Sequence, residues 1–237
     1  MDSSGAQPAQ GRASIFVPVE LQQRGFLENP LFRALHDRAI VRTADGLRLV
    51  HPWIRWQDFS AQLDCIAYAD RSLRALPSGR AMNPRHVTPG RLYTISSVIL
   101  AHALAGNIAA WLGEVLVTGA AADERHFLNP RFRKEMERCV PEAREPLHRH
   151  ESFVREMEQY RASWMHAPPD APLAQTGVPQ EHLLDEAQDA GAPHHAGSFT
   201  AGVFRQASGL YLDWLQFALC NVKEQQVPGQ FLPKTHY

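Results

Sequence analysis

Histidine is the one chemically versatile side chain in surplus, with twelve among 237 residues. Imidazole ligates metals and haem iron and exchanges protons near neutral pH. His102 sits in the middle of a run from Leu92 to Gly113 that contains no Lys, Arg, Asp or Glu. Burying a polar ring in such a run requires a partner for it. Gly106, Ala109, Ala110 and Gly113 recur at three- and four-residue steps along one broad side of the same helix. Small side chains there let a flat cofactor, a substrate or another helix approach closely. His102, Gly106, Ala110 and Gly113 are therefore the candidate cofactor-binding face. The plain alternative is a hydrogen-bonded core histidine beside a close helix crossing.

A second chemistry is carried by Glu145-x-x-His148. Residues three apart share a helix face, so a carboxylate and an imidazole can grip one divalent ion, as in di-iron carboxylate bundles. Asp123-x-x-His126 is the best second unit, and Glu114 on the uncharged helix offers a further carboxylate. The expected metal set is Glu114, His126, Glu145 and His148, although Pro146 interrupts the first unit and Asp123 falls in a predicted loop. A solvated charged face explains the same residues without a metal. His194-His195 follows a proline-rich stretch, and His195 is the candidate mobile ligand or proton relay. Around Trp53-Ile54-Arg55-Trp56, two indoles and a guanidinium lie together and can stack on an aromatic substrate. Arg55 joins His102 and His195 as a catalytic candidate, with Trp53, Trp56 and Trp111 lining the substrate pocket, or packing the edge of a core.

Several chemistries lack their motifs. There is no glycine-rich phosphate loop, no dinucleotide fingerprint, no G-x-S-x-G elbow, no H-E-x-x-H pair and no paired-cysteine zinc site. The three cysteines, Cys65, Cys139 and Cys220, lie far apart within helical patterns and read as buried, inert thiols in a reducing compartment. With 24 basic and 25 acidic side chains there is no one-sign field to gather nucleic acid. The uncharged run is long enough to span a bilayer, yet its Thr94, Ser96, Ser97, His102 and Asn107 suit a protein interior better. The functional expectation is an iron-dependent oxidoreductase, haem or non-haem, acting with oxygen on a small substrate, an aromatic one where it stacks on those indoles. It would be cytoplasmic, bind neither membrane nor nucleic acid, and leave homo-oligomerisation open. A non-catalytic helical scaffold and a metal-free acid–base enzyme using His102 or His148 are the alternatives.

The elements that must position these residues are parsed by proline. Asn29-Pro30, Thr88-Pro89 and Asn129-Pro130 each place a capping side chain before a proline tolerated in a first helical turn. A helix follows over 30–39, then two short β-prone runs around Asp45-Gly46 that read as a hairpin. Amphipathic spacing predicts helices over 56–76 and 200–225, with an apolar central helix over 92–117 between them. A further helical region runs from 130 to 164, broken at Pro141 and Pro146. The fold class is mainly α, a single-domain helical bundle-like core with a small N-terminal β-hairpin. Residues 1–14 form a disordered leader, 15–237 the single domain, and about 167–193 a long proline-rich loop.

Overall fold

The computed structural model describes residues 18–43, 46–50, 53–75, 89–117, 121–166, 195–222 and 230–231. The predicted leader, the proline-rich loop, His51 and most of the C-terminal tail lie outside these residues.

Asparagine–proline pairs start two helices as the sequence dictates. Asn29 Oδ1 accepts the Leu31 amide at 2.9 Å ahead of α2 (Pro30–Ala39). Asn129 Oδ1 accepts the amides of Arg131 at 2.9 Å and Phe132 at 3.3 Å ahead of α5 (Pro130–Cys139). In both, proline occupies a position whose N–H has no intrahelical acceptor, so nothing is lost there. Each helix then buries residues at helical spacing: Phe32, Leu35 and Ala39 on α2, Phe132 and Met136 on α5.

Three long helices form the centre: α3 (Trp56–Arg74), α4 (Pro89–Leu116) and α8 (His195–Asn221), each packed against the other two. Two shorter ones, α6 (Arg144–Arg149) and α7 (Glu151–His166), follow α5, and α7 lies along α4. The core is densely aromatic. Trp111 packs edge-on against Trp53 and Trp56, with ring centroids 5.5 and 5.4 Å apart, and Trp56 meets Tyr211 at 5.2 Å. Such edge contacts suit the ring quadrupole. The buried Tyr211 hydroxyl is satisfied by Ser60 Oγ at 2.8 Å, which also bonds the Trp56 carbonyl.

The N-terminal α1 (Val19–Gln23) is five residues long, too short to persist on propensity alone. Side chains of α3 hold it. Asp64 accepts the Leu21 amide at 2.9 Å, Arg71 pairs with Glu20 at 2.5 Å, and Arg24 reaches Asp70 at 2.9 Å. Asp70 is fully buried, and it also accepts from Arg74 and from Thr200 Oγ1 on α8. One carboxylate thus ties α1, α3 and α8 together.

The chain is a mainly α-helical bundle with eight α-helices among the described residues. Two expectations need correction. The small N-terminal β-hairpin does not stand as a separate element. The backbone of β1 (Ile40–Thr43) and β2 (Gly46–Leu49) is part of a three-stranded antiparallel patch whose third strand, β3 (Gln230–Phe231), comes from the opposite end of the chain. Two short strands do not persist alone, and only a partner distant in sequence completes them. The cysteines are not buried: Cys65, Cys139 and Cys220 are exposed, because each falls on the polar side of its helix. Local desolvation, reinforced by Asp64, pushes the Cys65 thiol up, which lowers its nucleophilicity at neutral pH.

The uncharged helix is intermediate between the two environments considered for it. Its Leu92–Leu116 span is long and apolar enough to cross a membrane, with mean hydropathy 1.6, and half of that window is buried inside the protein. Leu92 and Ile99 are exposed on its outer side.

Candidate metal centre

His102 lies on α4 where α7 packs against it, and its partner comes from that neighbour. Glu158, one of several acidic residues on α7, points its carboxylate at the imidazole, and Oε2 touches His102 Nε2. The carboxylate is the ion-pair partner of the buried Nε2. An imidazole nitrogen and a carboxylate oxygen brought together from two helices are both donors that a divalent ion accepts.

The third residue arrives on a turn between α4 and α5. His126 follows a 3₁₀ turn (Ala122–Glu124), and its carbonyl accepts the Asn129 amide at 2.9 Å. The next residue anchors that turn. Phe127 is buried and stacks on Trp214 of α8, with centroids 4.7 Å apart and planes 9° from parallel. With Phe127 fixed and Asn129 capping α5, the imidazole of His126 just ahead of them is held 5.8 Å, centroid to centroid, from that of His102. One ligand atom from each of His102, His126 and Glu158 lies within 4.8 Å of the other two. Ligands about 2.0–2.2 Å from a common ion stand roughly 3–4 Å apart, so small side-chain rotations close the set. The cluster can therefore hold a metal ion.

Electrostatics favour ligation by the imidazoles. Burial lowers the proton affinity of His102, with Glu158 opposing and Arg161 and His126 reinforcing the shift. His126 is likewise lowered by burial, opposed by Glu158 and reinforced by Arg161. Both rings are thus neutral at neutral pH, the form in which imidazole ligates. Side-chain exposure grows from 16% at His102 to 37% at Glu158, so the cluster opens toward solvent on the α7 side.

The expected metal set is reorganised. Of Glu114, His126, Glu145 and His148, His126 alone enters the cluster among the described residues. Glu114 pairs with Arg55 at 3.0 Å, which also commits the guanidinium proposed for catalysis. Glu145 pairs with Arg149, and it shares with His148 a surface groove lined also by Arg133, Arg144, Glu137 and Glu142. Three guanidinium groups there offset the three carboxylates, so the groove has no excess negative charge to hold a cation. The i, i+3 spacing of Glu145 and His148 puts them side by side, but among the described residues no third ligand joins them.

The cofactor-binding face is also interrupted. A Cβ on Gly113 would stand 2.6 Å from Arg125 Cδ and 3.1 Å from Phe132 Cε2, so that end is filled by protein, whereas Gly106 faces open space. A flat macrocycle against His102, Gly106, Ala110 and Gly113 has no continuous slot. Trp53, Trp56 and Trp111 do not line a substrate pocket. All three are at most 1% exposed and pack on one another as core. His195 is the first residue of α8, and its side chain lies outside the described residues.

Glu158 is the candidate ligand that the sequence does not single out. Its α7 neighbours Glu151 and Glu156 carry the same charge, and nothing in their spacing singles it out. The one signal was indirect: a histidine in an uncharged helix demands a polar partner from whichever helix packs on it. His150 was missed too. Its Nε2 lies 2.9 Å from Asp213 Oδ2, which Arg149 also reaches, pinning the α6–α7 junction to α8. Comparison with known protein families, with curated proteins and with solved structures finds no match for this chain.

Proposed function

We propose that His102, His126 and Glu158 hold one non-haem iron ion and that the chain is an oxidoreductase using oxygen on a small organic substrate. The observation that supports this reading is the convergence of two imidazoles and one carboxylate, with one ligand atom of each within 4.8 Å of the other two. Two histidines and one carboxylate leave coordination positions open, which is the donor set of non-haem iron oxygenases. Bound there, the ion would supply Lewis acidity and one-electron chemistry. The protein's share is positional: α4 and α7 fix two ligands, the Phe127 anchor fixes the third, and the apolar flank of α4 limits water on the inner side. Haem is disfavoured by the filled Gly113 end, and an aromatic substrate loses its support with the tryptophans in the core.

Elemental analysis of untagged protein from iron-replete cells tests this, with about one iron per chain expected. His102→Ala and Glu158→Ala should abolish that content while keeping helical circular dichroism. Stoichiometric zinc would retain the site and overturn the iron assignment, since zinc accepts the same donors. Absence of metal, with no uptake of added Co(II), would overturn both.

One contact favours a second reading, a metal-free proton relay. The Leu128 amide donates to His126 Nδ1 at 3.2 Å. Neutral His126 then carries its proton on Nε2, whereas ligation through Nε2 needs that proton on Nδ1. Nitrogen-15 spectra of labelled histidines with and without Zn(II) separate the two: a tautomer change on His126 supports the metal, and unchanged shifts support the relay.

A further inference from the structure

We infer that the centre binds a small carboxylate-bearing molecule between the metal position and the guanidinium of Arg161, an inference that rests on the metal reading above. Arg161 follows Glu158 by three residues on α7, so both side chains leave the helix on one side. Its Nη1 stands 3.5 Å from Glu158 Oε2. That is a loose ion pair beside Arg133–Glu151 at 2.7 Å or Arg24–Asp70 at 2.9 Å. The guanidinium is therefore near the ligand carboxylate without being locked to it.

His102 is 16% exposed, Glu158 37% and Arg161 43%, so the guanidinium is the most solvent-accessible of the three and can meet a ligand from solution. Charge balance selects the sign. A divalent ion, the Arg161 cation and a single carboxylate, with both imidazoles neutral, leave an excess of two positive charges, which favours an anionic ligand.

Shape selects the chemical class. A guanidinium edge offers two parallel N–H donors in a plane, matched to the two oxygens of a carboxylate. A tetrahedral phosphate would call for further cations around its remaining oxygens. A carboxylate with an oxo or hydroxy group on the adjacent carbon can place one carboxylate oxygen and that second oxygen toward the ion while the other carboxylate oxygen meets Arg161. Releasing Arg161 from Glu158 costs little, because metal ligation by Glu158 already weakens that pair.

Full-length protein loaded with Co(II), titrated with pyruvate and followed by the visible d–d bands, provides the test. Pyruvate should shift the bands saturably. Arg161→Gln should still take up Co(II), which reports an intact site, while its pyruvate Kd rises about ten- to hundredfold, the usual cost of a charged hydrogen bond. Arg161→Lys should fall between. Equal pyruvate affinity in wild type and Arg161→Gln, or no band shift in wild type, overturns the inference and leaves the metal centre standing. Tighter binding of inorganic phosphate than of pyruvate overturns the carboxylate assignment. Failure of the wild type to bind Co(II) overturns the metal reading, and this inference falls with it.

Discussion

Replacing Phe127 with alanine separates positioning of the site from stability of the fold. The ring is 5% exposed and stacks on Trp214 at 4.7 Å. Deleting a core phenylalanine costs about 3–5 kcal/mol, including the cavity left behind. Because the ring lies at the edge of the α8 contact, where the turn can partly collapse, we expect about 3 kcal/mol from urea unfolding in chelator. Globular domains commonly have 5–15 kcal/mol in hand, so the variant stays folded. The second effect is local. Phe127 is bonded in sequence to His126, and loss of its anchor frees the turn that presents the imidazole. Co(II) affinity of the folded protein should fall about ten- to hundredfold, the usual cost of losing a residue that orients a ligand. Phe32→Ala is the control: Phe32 is similarly buried and stacks on Tyr211 of α8 at 5.7 Å, but it belongs to α2 rather than to the His126 turn. It should lose similar stability with Co(II) affinity unchanged. Equal affinities in Phe127→Ala and wild type, or equal losses in the two variants, would refute the claim that Phe127 positions His126.

Two glycines on α4 predict opposite outcomes. Gly106→Ala meets nothing within 4 Å and should raise stability by about 0.5–1 kcal/mol through helix propensity. Gly113→Ala drives a methyl against Arg125 and the Phe132 ring and should lower it by about 1–3 kcal/mol, so thermal melts of the pair shifting in the same direction would contradict the packing. Alkaline stability should hinge on Tyr211, whose hydroxyl burial pushes far above the usual 10, with Tyr160 pushed up to about 12. The folded state keeps protons that the unfolded chain releases, so stability is full below pH ~10 and falls as pH rises, by about 1.4 kcal/mol per pH unit for a fully buried tyrosine. Urea midpoints between pH 9 and 11 measure that slope, and an unchanged slope in Tyr211→Phe would show that Tyr211 is not its source.

What the sequence made legible was local. Asn29-Pro30 and Asn129-Pro130 announce helix starts because cap and proline act within three residues, and α8 shows itself through the spacing of Val203, Phe204, Ala207, Leu210, Tyr211 and Trp214. His102 stood out for a similar reason: a polar ring in an uncharged run needs an explanation. The rest depended on contacts between distant segments. Glu158 becomes a candidate ligand through the way α7 lies on α4. Trp53, Trp56 and Trp111, which together resemble a substrate pocket in sequence, meet one another and close into core. Glu145 and His148 share a face as their spacing requires, yet that face looks outward among arginines. β3 pairs with a strand about 180 residues earlier, a distance no local pattern encodes.

The buried Asp70 carboxylate also sets an order of events. Its charge becomes tolerable when Arg24, Arg74 and Thr200 converge on it from three helices. Asp64, Asp70 and Arg71, which grip α1, all lie on α3, so α1 docks only on a formed α3, and Arg24 covers Phe204 only once α8 has joined. Five residues long and held by these side-chain contacts, α1 is the segment expected to peel away first. Its release strips Asp70 of one arginine and uncovers the Phe204 ring that Arg24 covers at 4.2 Å. The amides of Val19 to Arg24 should therefore exchange with solvent as a unit, well ahead of those beneath them on α3 and α8.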